Sequence, residues 1–412
     1  MSQKTINVFL NTQDTKRVVG QLAEVEGRIY FEYDAAFLKN GIELSPYKLP
    51  LKPGVQECED ILFEGLYGLF ADSLPDGWGR LLLDRHLMRL GKAYGDIAPL
   101  DRLSYIGNYG IGALSYEPVV DEVHDIGSSI VLDDLAHASL EILEGSSEEM
   151  VDTLLSLGGS SAGARPKAVI QLDKKQEKII HGAQSLQEGY EHYLVKFASS
   201  LDSKEIGVIE YIYSLMAKDA GLEMMDTLLL KGKKGRYFAT KRFDRVGERR
   251  VHIHSVAGLT HSDFRMPVLD YDDLLTLTLH LTKDVNEQLK MFRLAVFNLF
   301  AHNRDDHAKN FSYLLDENNQ WKLSPAYDLT FSYGPGEEHS TTYLGEGKTP
   351  GKEHLMKLAS AHGIKGAALI IDEIEAVVMN FSVYAQKLDL SKNSIIKIRN
   401  ILKNTHRNQL LN

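Results

Sequence analysis

Apolar and polar residues alternate from Thr5 to Leu10, and Arg28 to Tyr33 is β-branched and aromatic, so both stretches predict strands. Proline-bearing turn sequence fills 40–54, and the first hundred residues read as a small β-rich module. A helix is predicted from Leu81 to Leu90, stopped by Gly91, and Asn108 to Leu114 is a tight, glycine-bearing strand or turn. Residues 121–134 are a polar, acidic connector. Leu135 to Leu155 has helical periodicity broken at Ser147–Glu149. Strands then recur at Ala168–Leu172, Tyr193–Phe197, Leu228–Leu230 and Arg236–Lys241. Between the second and third, Ile206, Ile209, Tyr213, Met216, Ala217 and Ala220 mark a helix that ends at Gly221. Beyond this the chain turns helical, at Tyr271–Leu281, Val285–Ala301, Ala367–Asn380 and Asn393–Lys403. Only Phe311–Leu315 and Gln320–Leu323 read as a short hairpin there. The pattern is α+β, in three stretches: 1–120, 121–245 and 246–412.

Hydrophobic residues at 43% and charged ones at 25% are ordinary globular values and exclude a disordered chain. A formal charge of −11 makes a poor autonomous nucleic-acid binder. Cys58 is the single cysteine, so no intramolecular disulfide forms, and the acidic neighbours Glu57, Glu59 and Asp60 should keep its thiol protonated. No apolar run reaches the ~18 residues of a membrane span, and no signal peptide opens the sequence, so no membrane association and a cytoplasmic location are expected.

The densest chemistry follows the apolar helix ending near Ala301: His302, Asn303, Arg304, Asp305, Asp306, His307, Ala308, Lys309 and Asn310 in succession, with Tyr327-Asp328 after the hairpin. Asp305 and Asn310 have the spacing of a protein-kinase catalytic loop. Phosphoryl transfer is chiefly positioning and charge neutralisation, so it needs a carboxylate facing the nucleophile and a few oxygen ligands for magnesium. Asp305 fits the first role, Asn310 and Asp328 the second. Zinc is a weaker reading of His302, Asp305, Asp306 and His307, because the histidines lack i, i+4 spacing and no cysteine accompanies them.

Upstream, Gly158 to Lys167 is a run of small residues ending in Arg165-Pro166-Lys167, able to bring backbone N–H groups and positive charge to phosphates. Lys196 ends a strand as the phosphate-contacting lysine of kinases does, and Glu210 on the next helix is its expected ion-pair partner. Glu205 is expected to complement that helix's dipole. Leu74-Pro75-Asp76-Gly77-Trp78-Gly79-Arg80 reads as an architectural corner. Gly-rich loop, strand lysine, helix glutamate, hinge, catalytic loop and metal aspartate come in the order of a two-lobed protein-kinase-like fold. That order predicts a β-rich N-terminal lobe, carrying an extra N-terminal module, and a mostly helical C-terminal lobe.

These motifs together resemble the HipA-type serine/threonine kinase toxins of bacterial toxin–antitoxin pairs. The likeness spans nearly the whole chain and is carried by residues 74–80, 158–167, Arg242-Phe243-Asp244-Arg245, 303–312 and 325–328. It implies that Asp305 is the catalytic base and that Asn310 and Asp328 hold Mg2+. It places Ala162, Gly163, Ala164, Arg165, Pro166 and Lys167 over the phosphates of ATP with Lys196, and Lys241, Arg242 and Phe243 at the adenine. His307, Lys309 and Tyr327 would sit near the nucleotide. Where relatives often carry Glu this chain has Lys241, so the implied contact there is through the main chain. The autophosphorylated serine of the family corresponds to Ser160, with Ser161 beside it, and a phosphate there should eject the loop and switch the enzyme off. Implied partners are a small helix-turn-helix antitoxin, operator DNA reached only through that antitoxin, and a protein substrate, in known cases an aminoacyl-tRNA synthetase. The alternatives are a small-molecule phosphotransferase and a non-catalytic pseudokinase acting as co-repressor.

Overall fold

The computed structural model describes residues 4–12, 15–119, 130–146, 150–158, 163–182 and 185–408. They form an α+β structure in two compact units. The first comprises residues 1–204, 230–254 and 258–261, and the second 205–229, 255–257 and 262–412. No described helix is long and apolar enough to cross a membrane.

The first unit opens with strands Lys4–Asn11, Lys16–Val25, Arg28–Tyr33, Val55–Glu57 and Leu114–Glu117. They form an antiparallel sheet in which the first strand lies between the second and the last. The period-two pattern is realised directly: Ile6, Val8 and Leu10 are buried from one strand, Ile29, Phe31 and Tyr33 from another. Helices Gly68–Ala71, Gly77–Arg89 and Pro99–Ile106 contribute Phe70, Trp78, Leu82 and Leu103 to this core. Cys58 is buried, and burial first, then the Asp60 charge, pushes its thiol pKa up.

A second antiparallel sheet is built around the strand Tyr190–Lys196, which lies between Lys167–Asp173 and Arg236–Lys241. The predicted Leu135–Leu155 periodicity resolves into two helices, Leu132–Glu144 and Val151–Gly158. Asp133 reaches the turn before Arg236, where it accepts from the Lys233 N–H at 2.6 Å and the Tyr237 hydroxyl at 2.6 Å.

In the second unit, helices Tyr271–Thr282 and Val285–Phe300 start at Asp270 and Asp284, whose carboxylates accept the Asp272 and Asn286 N–H groups. Met291, Phe292, Ala295, Val296 and Leu299 are buried from the second of these, the helix that delivers the chain to Asp305. Helices Lys352–Ala361, Ala367–Met379, Phe381–Lys387 and Lys392–Asn408 complete the unit. Glu205 does not cap its own helix. Its carboxylate instead accepts from the Ser391 N–H and hydroxyl and from the Ser394 hydroxyl, at 2.6–2.9 Å, at the start of Lys392–Asn408. Glu205 also stands at the N-terminal end of its own helix, Ile206–Asp219, where a negative charge suits the dipole.

Candidate active site

In the second unit, Asp305 is exposed whereas Asp306 beside it is 1% exposed. One Asp306 oxygen accepts from the Tyr271 hydroxyl at 2.8 Å and lies 3.0 Å from His339 Nδ1. The other accepts the Ser340 N–H at 2.9 Å. The chain of contacts continues inward: Asn298 donates to the Tyr271 oxygen at 2.8 Å, and Asn303 donates to the Asn298 carbonyl oxygen at 2.9 Å. Asn303 also pairs with Ser332 in an isolated bridge. Asp306 therefore anchors the loop from below while Asp305 is presented above it. In the sequence the two carboxylates are indistinguishable, and the anchors Tyr271 and His339 lie 35 and 33 residues away.

Five residues after Asp305, the Asn310 carboxamide nitrogen donates to the Asp305 carbonyl at 2.7 Å. Tyr327 ties down the same loop: its hydroxyl donates to the Lys309 carbonyl at 2.6 Å and lies 2.6 Å from the Ser312 hydroxyl. Asp328 follows with φ +55°, a left-handed conformation that costs a non-glycine residue energy and is held by its surroundings. The half-buried His307 takes the Lys309 N–H on its Nδ1 at 3.3 Å. Both residues lie near an aromatic absent from the sequence reading: Phe264, 4.3 Å from the Lys309 ammonium and 5.8 Å from the His307 ring. His302 is buried, stacked on Phe331 at 5.5 Å, and burial followed by the Arg304 and His339 charges lowers its pKa to about 3. With Asp306 and His302 so engaged, the zinc arrangement has no support among the described residues.

The donor chemistry at Asn310 and Asp328 suits Mg2+. The Asn310 nitrogen is committed to Asp305, which directs its oxygen to the remaining role. Among the described residues no cluster of three or more His, Cys, Asp or Glu side chains could hold a metal by itself. Magnesium takes few protein oxygens and completes its shell with water and phosphate, so a sparse Asn/Asp pair fits it.

In the first unit, Ser160, Ser161 and Ala162 lie outside the described residues. Gly163 has φ +105°, and a side chain on it would strike the Lys167 ammonium. Lys167 and Lys196 are both buried and are register partners on adjacent strands, so their side chains leave the sheet on one face. The Lys196 ammonium lies 5.8 Å from the Phe238 ring centroid. Ala164 is exposed, and the buried Pro166 accepts the Phe197 N–H at 2.8 Å.

Arg165, expected at the phosphates, is paired with a carboxylate in this structure. Its guanidinium is paired with Asp202, with Nη2 at 3.0 Å and Nε at 3.1–3.2 Å from the carboxylate. Burial opposes ionisation of Asp202, but hydrogen bonds from Ser199 and the Arg165 charge outweigh it and hold its pKa below the usual range. At the hinge, Lys241 pairs with Glu191 at 2.5 Å, and the Arg242 guanidinium forks onto Asp244 at 2.7 and 2.9 Å while its N–H binds the His192 carbonyl. Phe243 is half-buried beside them. The charged side chains of this motif are thus engaged in ion pairs within the first unit. Glu210 is buried in the helix Ile206–Asp219 of the second unit.

Asp244 also accepts the Gly112 N–H at 2.9 Å. Arg245 and Arg250 donate to the carbonyls of Asn108, Gly110, Gly112 and Leu114 at 2.8–3.2 Å. The glycine-bearing turn of the N-terminal module is in effect moulded around two guanidinium groups.

Comparison with known proteins matches residues 6–117 to the HipA N-terminal domain and residues 159–381 to the HipA-like C-terminal domain. Over 155 residues the chain is 31% identical to a Sinorhizobium fredii protein named "Putative kinase Y4dM", a match covering 36% of this chain and 37% of that one. The fold is similar to that of a solved HipA from Shewanella oneidensis MR-1, determined as a toxin–antitoxin complex with HipB and operator DNA. The TM-score is 0.69 at 17% identity, over 97% of this chain and 95% of that one.

Proposed function

This chain belongs to the HipA family, and from that premise we propose that it is an ATP- and magnesium-dependent protein serine/threonine kinase, the cytoplasmic toxin of a toxin–antitoxin pair. The observation that carries the reading is the exposed Asp305 on a loop fixed from beneath by Asp306 and from the side by Asn310. A carboxylate so held accepts the hydroxyl proton of a serine or threonine without having to be reorganised during reaction. Asn310 and Asp328 hold Mg2+, which neutralises charge on the phosphate oxygens. Lys167 and Lys196 are register partners on adjacent strands and share one face of the sheet, so both can bring positive charge to the phosphates of a nucleotide. The Phe264–His307–Lys309 group and Tyr327 border the nucleotide, and main-chain groups of Lys241 to Phe243 receive the adenine.

The switch follows from charge. Phosphate added to Ser160, or to Ser161 beside it, places a dianion in the loop that should cover ATP phosphates, and so turns the enzyme off. The substrate is a translation protein of the aminoacyl-tRNA synthetase kind. The antitoxin is a small helix-turn-helix protein that alone contacts operator DNA, a reading supported by the solved complex of HipA with HipB and its operator.

The test is peptide mass after incubation with ATP and Mg2+, comparing wild type with Asp305→Gln. Phosphate on Ser160 or Ser161 in wild type alone supports the assignment. ATP consumed in host extract without any phosphoprotein would replace it with small-molecule phosphotransfer, and no ATP consumption at all with a non-catalytic role.

A further inference from the structure

The motif Leu74 to Arg80 of the N-terminal module is tied to the glycine-rich loop. Asp76 stands at the N-cap of the helix Gly77–Arg89, where an aspartate ordinarily accepts a hydrogen bond from its own helix. This one makes no such bond; its carboxylate accepts the N–H of Gly163 instead. The Gly163 carbonyl in turn accepts the Trp78 N–H at 3.2 Å. Between these contacts, Gly77 has φ +44°, and a Cβ there would lie 2.7 Å from Ala164 Cα. Two main-chain segments therefore touch with no room for a side chain.

The other end of the same helix grips what precedes the loop. His86 Nδ1 lies 2.7 Å from the Asp152 carboxylate in the first turn of Val151–Gly158, Arg89 pairs with the same carboxylate, and Arg85 donates to the Ile142 carbonyl at 3.1 Å. A 13-residue helix is about 20 Å long. This one is thus fastened to the chain both before and after residues 159–162.

We propose that the helix Gly77–Arg89 is the frame of the glycine-rich loop, and that Asp76 is a positioning residue which sets nucleotide affinity by fixing the Gly163 amide. The N-terminal module is on this view a working part of the nucleotide site. The inference rests on the kinase reading for its consequence in turnover, but not for its structural core.

Hydrogen exchange of the 163–165 amides and fluorescent ATP-analogue binding, measured on the full chain, separate the two. Asp76→Ala should speed exchange at 163–165 at least tenfold and weaken nucleotide about tenfold, raising KM for ATP with kcat changed by less than about threefold. Asp76→Asn, which keeps an acceptor oxygen, should recover most of both. Unchanged exchange and affinity in a folded Asp76→Ala protein would overturn the proposal, as would equal defects in the Asn and Ala variants. If Asp76→Ala does not fold, Arg89→Gln at the far end serves, with faster exchange and a two- to fivefold weaker analogue expected and no change in either refuting the frame. Were the wild type to show no turnover, the exchange measurement would still decide on the frame, while the kinase reading would fall separately.

Discussion

Tyr271 gives its phenolic hydrogen to Asp306 across 2.8 Å, and the same oxygen accepts from Asn298 at 2.8 Å. All three side chains are buried. Tyr271→Phe removes a donor from a buried carboxylate and an acceptor from a buried amide, so it should destabilise the protein by about 1–3 kcal/mol. Urea unfolding of the two proteins checks this. A variant as stable as wild type would show that the contact contributes little.

Asp305 and Asp306 are adjacent but should respond to mutation in opposite ways. Asp305→Gln is expected to lose on the order of 10²–10⁴ in phosphoryl transfer while unfolding at the wild-type temperature. Asp306→Ala strands Tyr271, His339 and the Ser340 N–H, and should cost more than about 2 kcal/mol of stability. Paired thermal melts and single-turnover assays distinguish the two. Wild-type turnover in Asp305→Gln would remove its assigned role.

Chelation with EDTA should stop transfer, and excess Mg2+ should restore it. Asn310→Ala and Asp328→Asn are each expected to raise the Mg2+ needed for half-maximal rate by tenfold or more. Asparagine is the substitution of choice at 328 because it tolerates φ +55°. Titration of rate against Mg2+ reads the result, and an unshifted midpoint in both variants would move the metal elsewhere.

Burial lowers His302 to about 3 and both His192 and His252 to about 4, from an ordinary value of 6.5. Each must be neutral in the folded chain, so the unfolded chain binds more protons between those values and about 6.5. Stability is therefore greatest above that upper limit and declines as pH falls through the window. The melting temperature should drop from pH 7 to pH 5, before most carboxylates titrate. His302→Asn, compatible with the positive φ there, should flatten the decline. An identical pH slope in that variant would show that His302 carries no share.

Glu205→Ala leaves Ser391 and Ser394 without their shared acceptor at the start of Lys392–Asn408. The expected cost is about 1–2 kcal/mol, with turnover per folded molecule unchanged. Denaturant midpoints and active-site-normalised rates measure both.

Much of this architecture was legible in sequence because its signals are local. The alternation at Thr5–Leu10 is a strand, Asp284 caps the helix ahead of Asp305, and the spacing from Asp305 to Asn310 became a hydrogen bond. What escaped was decided by partners far along the chain. The ion pair of Arg165 with Asp202 spans 37 residues and that of Lys241 with Glu191 spans 50. The eight-residue helix Pro99–Ile106 is not among the predicted elements, although a proline stands at its first turn and Asp101 accepts the Ala98 N–H at its start. Asp76 was read as a corner because its destination, Gly163, lies 87 residues on. Burial and long-range pairing determine such roles, and neither is written in residue type.

The turn moulded around Arg245 and Arg250 also sets a timetable for synthesis. Asn108 leaves the ribosome 142 residues ahead of the Arg250 that binds its carbonyl, about 7–30 s at ~5–20 residues per second. Throughout that interval the carbonyls of Asn108, Gly110, Gly112 and Leu114 lack the guanidinium donors of Arg245 and Arg250, although all five strands of the module's sheet are already synthesised. A chain interrupted between 120 and 240 would thus carry the strands of the module but not the two guanidinium groups that hold its 108–114 turn.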